Sequence, residues 1–184
     1  MANVQLVKHK IDFCDQIYQL SSDPYVKGVL GLPDGKEEDT KQFVEAIIQE
    51  EHEGKTVSRV ILDENSNVIG ITTLMFIDHD KKSCHIGSWL GHKYWGKGYN
   101  QASKVAILRI AFEELGLLHV LAGARKVNIR SQRAQEKLPF IRLHVEKEFP
   151  KEHTALETKE KQPCVLHAFY REDFIKYLHG DALD

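Results

Sequence analysis

The sequence predicts a single mixed α/β domain, 1–184, built on a mostly antiparallel, twisted sheet of about seven strands flanked by helices. Three observations predict it. Short β-rich runs recur along the chain, helical patterns of 3.6-residue period separate several of them, and no repeat or low-complexity tract breaks the order. The order reads β-α-α, then β-β-β, then helix, strand, helix and two strands, so helices are interspersed in a mixed sheet. A chain of 184 residues can bury a sizeable core as one domain.

The elements follow from local chemistry. A strand is expected at 4–7 and a helix at 12–21. The stretch "SSDPYVKGVLGLPDG" mixes turn formers with apolar residues and suggests a short helix between breakers. Asp39 can cap the next helix, with Gln42 at the capping-box position, Phe43 and Ile47 on one face, and Gly54 as its end. The runs "TVSRVILDE" and "NVIGITTLMFID", joined at "NSN", and "SCHIGSWLG" after them read as an antiparallel meander. Residues 99–115 form a helix whose stripe of Val105, Leu108, Phe112 and Leu115 packs on the sheet, and Gly116 closes it. "HVLAGAR" reads as a strand, 128–138 as a short helix, and "LHVEKEF" and "VLHAFYR" as the last strands. The charged, non-periodic stretch 150–164 between those two reads as a loop.

Composition narrows the class. The chain is 42% hydrophobic and 28% charged with a net charge of −2, which gives no global pull toward nucleic acid or an anionic membrane. No run has the length of a signal-peptide core or a membrane span, so the expected setting is the cytoplasm. Cys14, Cys84 and Cys164 are odd in number and far apart, which argues for reduced thiols. No histidine or cysteine spacing matches a metal site, and His79, Asp80 and His85 read as polar residues around a hairpin turn; no metal is expected.

The stretch "HKYWGKGYNQAS", residues 92–103, carries the chemistry. A strand, a glycine-rich turn and a buried helix place unpaired backbone N–H groups and the positive end of a helix dipole together. That arrangement suits a phosphate or pyrophosphate. Gly96 and Gly98 let the backbone approach a ligand, and His92, Lys93 and Lys97 add charge. The same glycines also suit an ordinary strand-to-helix turn, and neither GxGxxG nor the Walker pattern is present.

The segment from "HIGSWLGHKYWGKGYNQASK" through "AFEELG" to "NIRSQRAQEKLPF" resembles the acetyl-CoA-binding half of the GNAT acetyltransferase superfamily, about 83–140. More narrowly, it is similar to the branch of ribosomal-protein N-terminal acetyltransferases. The resemblance rests on Ile86-Gly87, on Lys93 to Gly98, on Ala111 to Gly116 and on Asn128 to Phe140, in the family's order. It implies an N-acetyltransferase that moves acetyl from acetyl-CoA to a primary amine. The acceptor is a small-molecule or peptide amine, such as a protein N-terminus or a polyamine, and a homodimer is a possibility the family offers. The alternative is a non-catalytic CoA-binding or regulatory module of the same fold.

What the resemblance implies for residues is specific. Acetyl-CoA lies where strands 83–90 and 119–125 splay, with its pyrophosphate on the N–H groups of Trp95, Gly96, Lys97, Gly98, Tyr99 and Asn100, and with Lys93 alongside. A strand bulge near Leu90 offers an N–H to the thioester oxygen. Many members use a tyrosine as acid where this chain has Gln135; the ribosomal branch has a serine, here Ser131, three residues after Asn128. Asn128 and Ser131 also suit a plain helix cap. His85 stands where relatives carry Glu and is the base candidate, or a satisfied sheet histidine; His144, Glu146 and His167 are lesser ones. Arg133, with Arg125, Lys126, Arg130 and Lys137, can meet the CoA 3′-phosphate or simply face water. Trp89, Tyr94 and Trp95 are packing or pocket wall. Pro139 replaces the family's Gly, so the turn after that helix must differ.

Overall fold

The computed structural model describes residues 2–30 and 35–180. Its strands are β1 (Gln5–Val7), β2 (Val57–Leu62), β3 (Val68–Asp78), β4 (Ser83–Leu90), β5 (His119–Arg125), β6 (Ile141–Arg142) and β7 (Cys164–Tyr170). The α-helices among the described residues are α1 (Cys14–Ser21), α2 (Pro24–Leu30), α3 (Glu37–His52), α4 (Tyr99–Arg109), α5 (Ile129–Glu136), α6 (Pro150–Glu160) and α7 (Arg171–His179). The seven strands run in the order β1-β2-β3-β4-β5-β7-β6. Pairing is parallel for β4–β5 and antiparallel for β1–β2, β2–β3, β5–β7 and β6–β7. This is the mixed, mostly antiparallel class expected. No helix of the described residues is long and apolar enough to cross a membrane. The chain packs as two compact units, Met1–Ile77 with Gly87–Ile110, and Asp78–Ile86 with Ala111–Asp184.

In the first unit, Ile17 of α1, Val44 of α3, Val60 of β2 and Val68 and Ile71 of β3 close one core, with Val7, Leu20 and Trp89 packed on it. The turn from β2 to β3 is built on Asp63, whose Oδ1 accepts from the N–H groups of Asn65 and Asn67 at 2.9 Å each. The register of β2 on β3 slips between Ile61–Gly70 and Leu62–Val68, leaving Ile69 as an extra residue. That β-bulge gave no mark in the hydrophobic pattern.

Helix α3 begins earlier than its expected cap. Lys36 is the cap position and Asp39 sits at N3, its Oδ2 accepting from the Lys36 N–H at 2.7 Å. Asp39 thus serves from inside the first turn, where a carboxylate also suits the helix dipole. Phe43 and Ile47 share a face, as expected, on the wall of one cavity, though Phe43 is 44% exposed while Ile47 and Val44 are buried. Helix α2 fulfils the short helix expected within "SSDPYVKGVLGLPDG"; residues 31–34 of that stretch lie outside the described residues.

Helix α4 runs from Tyr99 into a π-helical turn, Ile110–Glu114, so the long helix expected at 99–115 is present. Gly116 (φ 65°) ends it in a left-handed turn in which the Leu117 N–H donates to the Ala111 carbonyl at 3.0 Å. The expected stripe is corrected: Val105 and Leu115 are half-buried, and the buried side is Ser103, Lys104, Ile107, Leu108, Ala111 and Phe112. Lys104 is 6% exposed, and no hydrogen bond or ion pair joins its ammonium among the described residues. Burial alone pulls its pKa down to about 8.

In the second unit, Phe112, Phe140, Phe169 and Phe174 are fully buried and stack with ring centroids 5.6–5.8 Å apart. Such pairs add about 1 kcal/mol each beyond area burial. Arg142 of β6 lies over the Tyr170 ring at 3.7 Å and donates to Asp173 and Glu172 in the first turn of α7, at 2.6 Å each. These bonds raise its already high pKa further.

Two expectations fail in this unit. Residues 143–149 are not a strand, because side chains stand where ladder bonds would run. His144 turns left-handed (φ 56°), its N–H donates to His167 Nδ1 at 3.0 Å, and Glu146 Oε1 accepts the Leu166 N–H at 3.0 Å. Residues 150–160 are not a loop but α6, with Pro150 at its first turn. Its anchor is Leu156, which fills the space above Gly123 of β5; a Cβ there would meet Leu156 Cδ2 at 2.4 Å. One leucine in a charged sequence makes no periodic stripe, so the helix is illegible from pattern alone.

The buried Lys104 yields a stability prediction. Its folded pKa lies below the ordinary value near 10.4, so the penalty is complete below pH about 8 and is relieved as pH rises toward the unfolded value. Lys104→Met is expected to stabilise the protein at neutral pH by ~3 kcal/mol. Denaturant titrations across pH 7–10 check it: the gap between variant and parent should shrink as pH rises.

Candidate active site

The loop after β4 is held from several sides. Gly91 donates from its N–H to the Ile69 carbonyl at 2.8 Å, and Trp95 Nε1 donates to the Leu90 carbonyl at 2.8 Å. The Trp95 ring meets His92 edge-on at 4.6 Å, and His92 stacks on Tyr25 at 4.1 Å. Trp95 is therefore a structural wedge as well as a loop residue. Lys93 stands 5.0 Å from the centroid of the Tyr94 ring.

Gly96 (φ 70°) and Gly98 (φ 87°) both adopt left-handed backbone, which glycine supplies without Cβ cost. Gly98 is the cap position of α4, and no side chain caps that helix. Among the described residues the N–H groups of Gly96, Lys97, Gly98, Tyr99 and Asn100 have no backbone acceptor. Tyr99 spends its hydroxyl on Glu64 Oε2 at 2.7 Å, which pushes its pKa up to about 12; it offers the site only a main-chain donor. The result is a row of N–H groups at a helix N-terminus, shaped to hold an anion.

Strand β4 is distorted just before this loop. A Cβ on Gly70 would stand 2.1 Å from the Trp89 carbonyl oxygen and 3.0 Å from Leu90 Cα. A flat ladder leaves that space clear, so β3 and β4 depart from regular pairing here, beside the bulge at Ile69. Sequence reading did not single out Gly70; its signal was a lone glycine inside a strong strand pattern.

The remaining candidates belong to the second unit. Asn128 caps α5, its Oδ1 accepting from the Ser131 N–H at 3.1 Å. The Ser131 hydroxyl meets Gln135 Nε2 at 3.4 Å, and the buried Gln135 Oε1 has no partner among the described residues. His85 is half-buried; burial lowers its pKa, with Glu152 opposing, so it is neutral near pH 7. Glu146 and His167 are occupied by the backbone bonds above, which removes them as free bases. Arg133 is exposed, and Arg125 lies 3.9 Å from Glu160 Oε2. Pro139 causes no conflict: no described residue between Gly116 and His144 has a positive φ, so α5 ends without the turn that would demand glycine.

The first unit also contains a large cavity of about 1010 Å³, bounded by α1, α3 and the Ile71–Ile77 and Gly87–Trp89 stretches of β3 and β4. Its wall ends at the residue before Leu90.

A model of the acetyltransferase (GNAT) domain matches residues 4–141, and the chain belongs to that family. The uncharacterised N-acetyltransferase p20 of Bacillus licheniformis is 26% identical over 137 residues, 73% of this chain and 77% of that one. A spermidine N-acetyltransferase of Vibrio cholerae, solved with CoA and spermine, superposes with a TM-score of 0.72 at 12% identity, covering 94% of this chain and 98% of that one. The ribosomal L7/L12 α-N-protein acetyltransferase RimL, solved with coenzyme A, gives 0.68 at 19% identity over 77% and 81% of the two chains. At such identities the structural likeness speaks to the fold. The chain is accordingly an acetyl-CoA-dependent acyltransferase.

Gly70→Ala tests the strand distortion. The added methyl meets a backbone carbonyl rather than a flexible side chain, so a loss of about 2 kcal/mol or more is expected. Thermal unfolding of the variant measures it, and an unchanged midpoint would contradict the close approach.

Proposed function

We propose that this protein transfers the acetyl group of acetyl-CoA to a primary amine by direct attack on the thioester. The observation that carries the reading is the run Gly96 to Asn100, which includes two left-handed glycines and whose N–H groups have no backbone acceptor among the described residues. These groups bind the pyrophosphate, Trp95 fixes the loop, and Lys93 and Lys97 supply charge. In the second unit, Asn128 and Arg133 are the proposed further contacts to the cofactor.

In the reaction the amine nitrogen attacks the thioester carbon, and the carbonyl oxygen gains charge that the Leu90 N–H stabilises. The C–S bond then breaks; Ser131 gives its hydroxyl proton to the departing thiolate and is reprotonated by the second proton that the nitrogen sheds as the amide forms. His85 is the proposed acceptor of the ammonium proton; its neutral state at pH 7 suits that task. The departure from regular pairing at Trp89–Leu90 supports the oxyanion role, since a disrupted ladder leaves backbone groups unpaired.

Calorimetry with acetyl-CoA, repeated with the 3′-dephospho form, tests the cofactor assignment. Gly98→Glu places a carboxylate where phosphate should sit, and like-charge contact costs several kcal/mol, so affinity should fall by roughly a hundredfold or more. Gly98→Asn is the folding control, because asparagine tolerates the left-handed region. Undiminished binding in a folded Gly98→Glu protein overturns the loop assignment.

Ser131→Ala is expected to lower turnover by about a hundredfold while leaving acetyl-CoA affinity in place. The pH dependence separates the base: activity should fall as pH drops through a limb below about 6.5, and His85→Gln should abolish that limb. Thiol-release kinetics across pH 5–9 read both.

A further inference from the structure

The cavity of the first unit has the makings of an acceptor subsite. Its volume of about 1010 Å³ reaches the upper end of the roughly 300–1,000 Å³ that small-molecule sites occupy. Ile17, Phe43, Ile47, Ile71, Met75 and Trp89 are on its wall. Met75 packs on the bare backbone of Gly87, where a Cβ would meet its Cε at 2.8 Å. The wall runs along β4 to Trp89, one residue before the N–H proposed to receive the thioester oxygen.

Most polar groups of the cavity are already engaged. Thr73 Oγ1 meets Ser58 Oγ at 2.7 Å, and Ser58 meets the buried His9 Nε2 at 2.8 Å. Ser88 Oγ meets Thr72 Oγ1 at 2.6 Å, the Ser21 hydroxyl donates to the Tyr18 carbonyl at 3.3 Å, and the Tyr18 hydroxyl donates to the Gly35 carbonyl at 3.4 Å. The two carboxylates on the wall are also in use: Asp39 accepts the Lys36 N–H, and Glu50 Oε2 accepts from Thr56 Oγ1 at 3.0 Å. Lys27, Lys36 and Lys55 line the same cavity, and Lys55 is paired with Glu53, so the wall carries no net negative charge.

We propose that this cavity holds the acceptor, and that the acceptor is a hydrophobic monoamine: one primary amino group on a bulky aromatic or branched aliphatic body. The proposal deepens the acetyl-transfer reading and rests on it. A polyamine brings several ammonium charges to a wall with no net negative charge, whose two carboxylates already accept hydrogen bonds, so desolvation of the charges goes uncompensated. A peptide N-terminus brings main-chain amides to hydroxyls most of which are already bonded. A hydrophobic monoamine meets neither cost. The apolar wall also disfavours its charged form, so the cavity itself promotes the neutral amine that must attack. Acetylation then leaves an uncharged amide.

The test is thiol release from acetyl-CoA with 4-phenylbutylamine and cyclohexylmethylamine, against spermidine and a short serine-initiated peptide. The hydrophobic monoamines should exceed the other two in kcat/KM by about tenfold or more. Phe43→Ala, which removes a ring already partly exposed, should raise KM for 4-phenylbutylamine about tenfold and leave acetyl-CoA affinity unchanged. Phe43→Leu should restore most of the loss. Trp89 fluorescence, recorded in a Trp95→Phe background, follows amine binding without turnover. Preference for spermidine or the peptide, or indifference of KM to Phe43→Ala, overturns the hydrophobic acceptor and keeps acetyl transfer. Saturable binding of 4-phenylbutylamine with no thiol release from any amine keeps the occupant of the cavity and overturns acetyl transfer.

Discussion

The close approach of the Trp89 carbonyl to Gly70 constrains the end of β4 in the first unit. Only a residue without a Cβ lets β4 come so close at that height. Three features follow it along a few residues of chain. The Leu90 carbonyl is placed to accept the Trp95 indole, the Gly91 N–H closes onto Ile69 at the bulge, and the following loop is delivered to the start of α4 with its own N–H groups unspent. A regular strand at this point would pair those peptides and leave a turn with nothing to offer a ligand. The glycines at 96 and 98 shape the loop, and the bare backbone of Gly70 lets β4 come close just ahead of it.

Legibility in the sequence followed the range of the interactions involved. The strand-loop-helix at 83–115 was legible because its determinants are local: glycines at left-handed positions and a helix apolar enough to be buried. Asn128 as the cap of α5 was legible for the same reason. Strand 143–149 and loop 150–164 were misread because their determinants are tertiary. Valine and phenylalanine give 143–149 a β character, yet the His167 ring and the Glu146 carboxylate replace its ladder. Helix α6 exists because Leu156 finds the bare backbone of Gly123, a fact stored 33 residues away in β5. The bulge at Ile69 and the role of Gly70 depend on which strand lies alongside, which no pattern along one strand records.

Two buried polar groups of the first unit show opposite solutions to one problem. His9 is 7% exposed and stays neutral, its pKa lowered to about 4 mainly by burial, while its Nε2 bonds Ser58 and through it Thr73. Its desolvation is met by a hydrogen bond and by giving up charge. Lys104 has no such bond among the described residues and meets burial by a lowered pKa alone. Natural chains keep a strained or poorly solvated group where another demand outweighs the cost. Nothing in the structure explains why lysine stands at that position.

The side chains that displace the ladder at 143–149 have a consequence at the scale of many molecules. β6 pairs only Ile141 and Arg142 with β7, opposite Phe169 and Ala168, so the Cys164–His167 half of β7 would otherwise end the sheet as an open edge. Open edges recruit strands from other copies and seed aggregation. Here the Leu166 N–H is taken by a carboxylate, its carbonyl accepts the Val145 N–H at 2.9 Å, and the covering segment is kinked at His144, so it cannot itself serve as a flat template. The departure from a regular strand is thus a guard on solubility, placed where the sheet would otherwise invite its own kind.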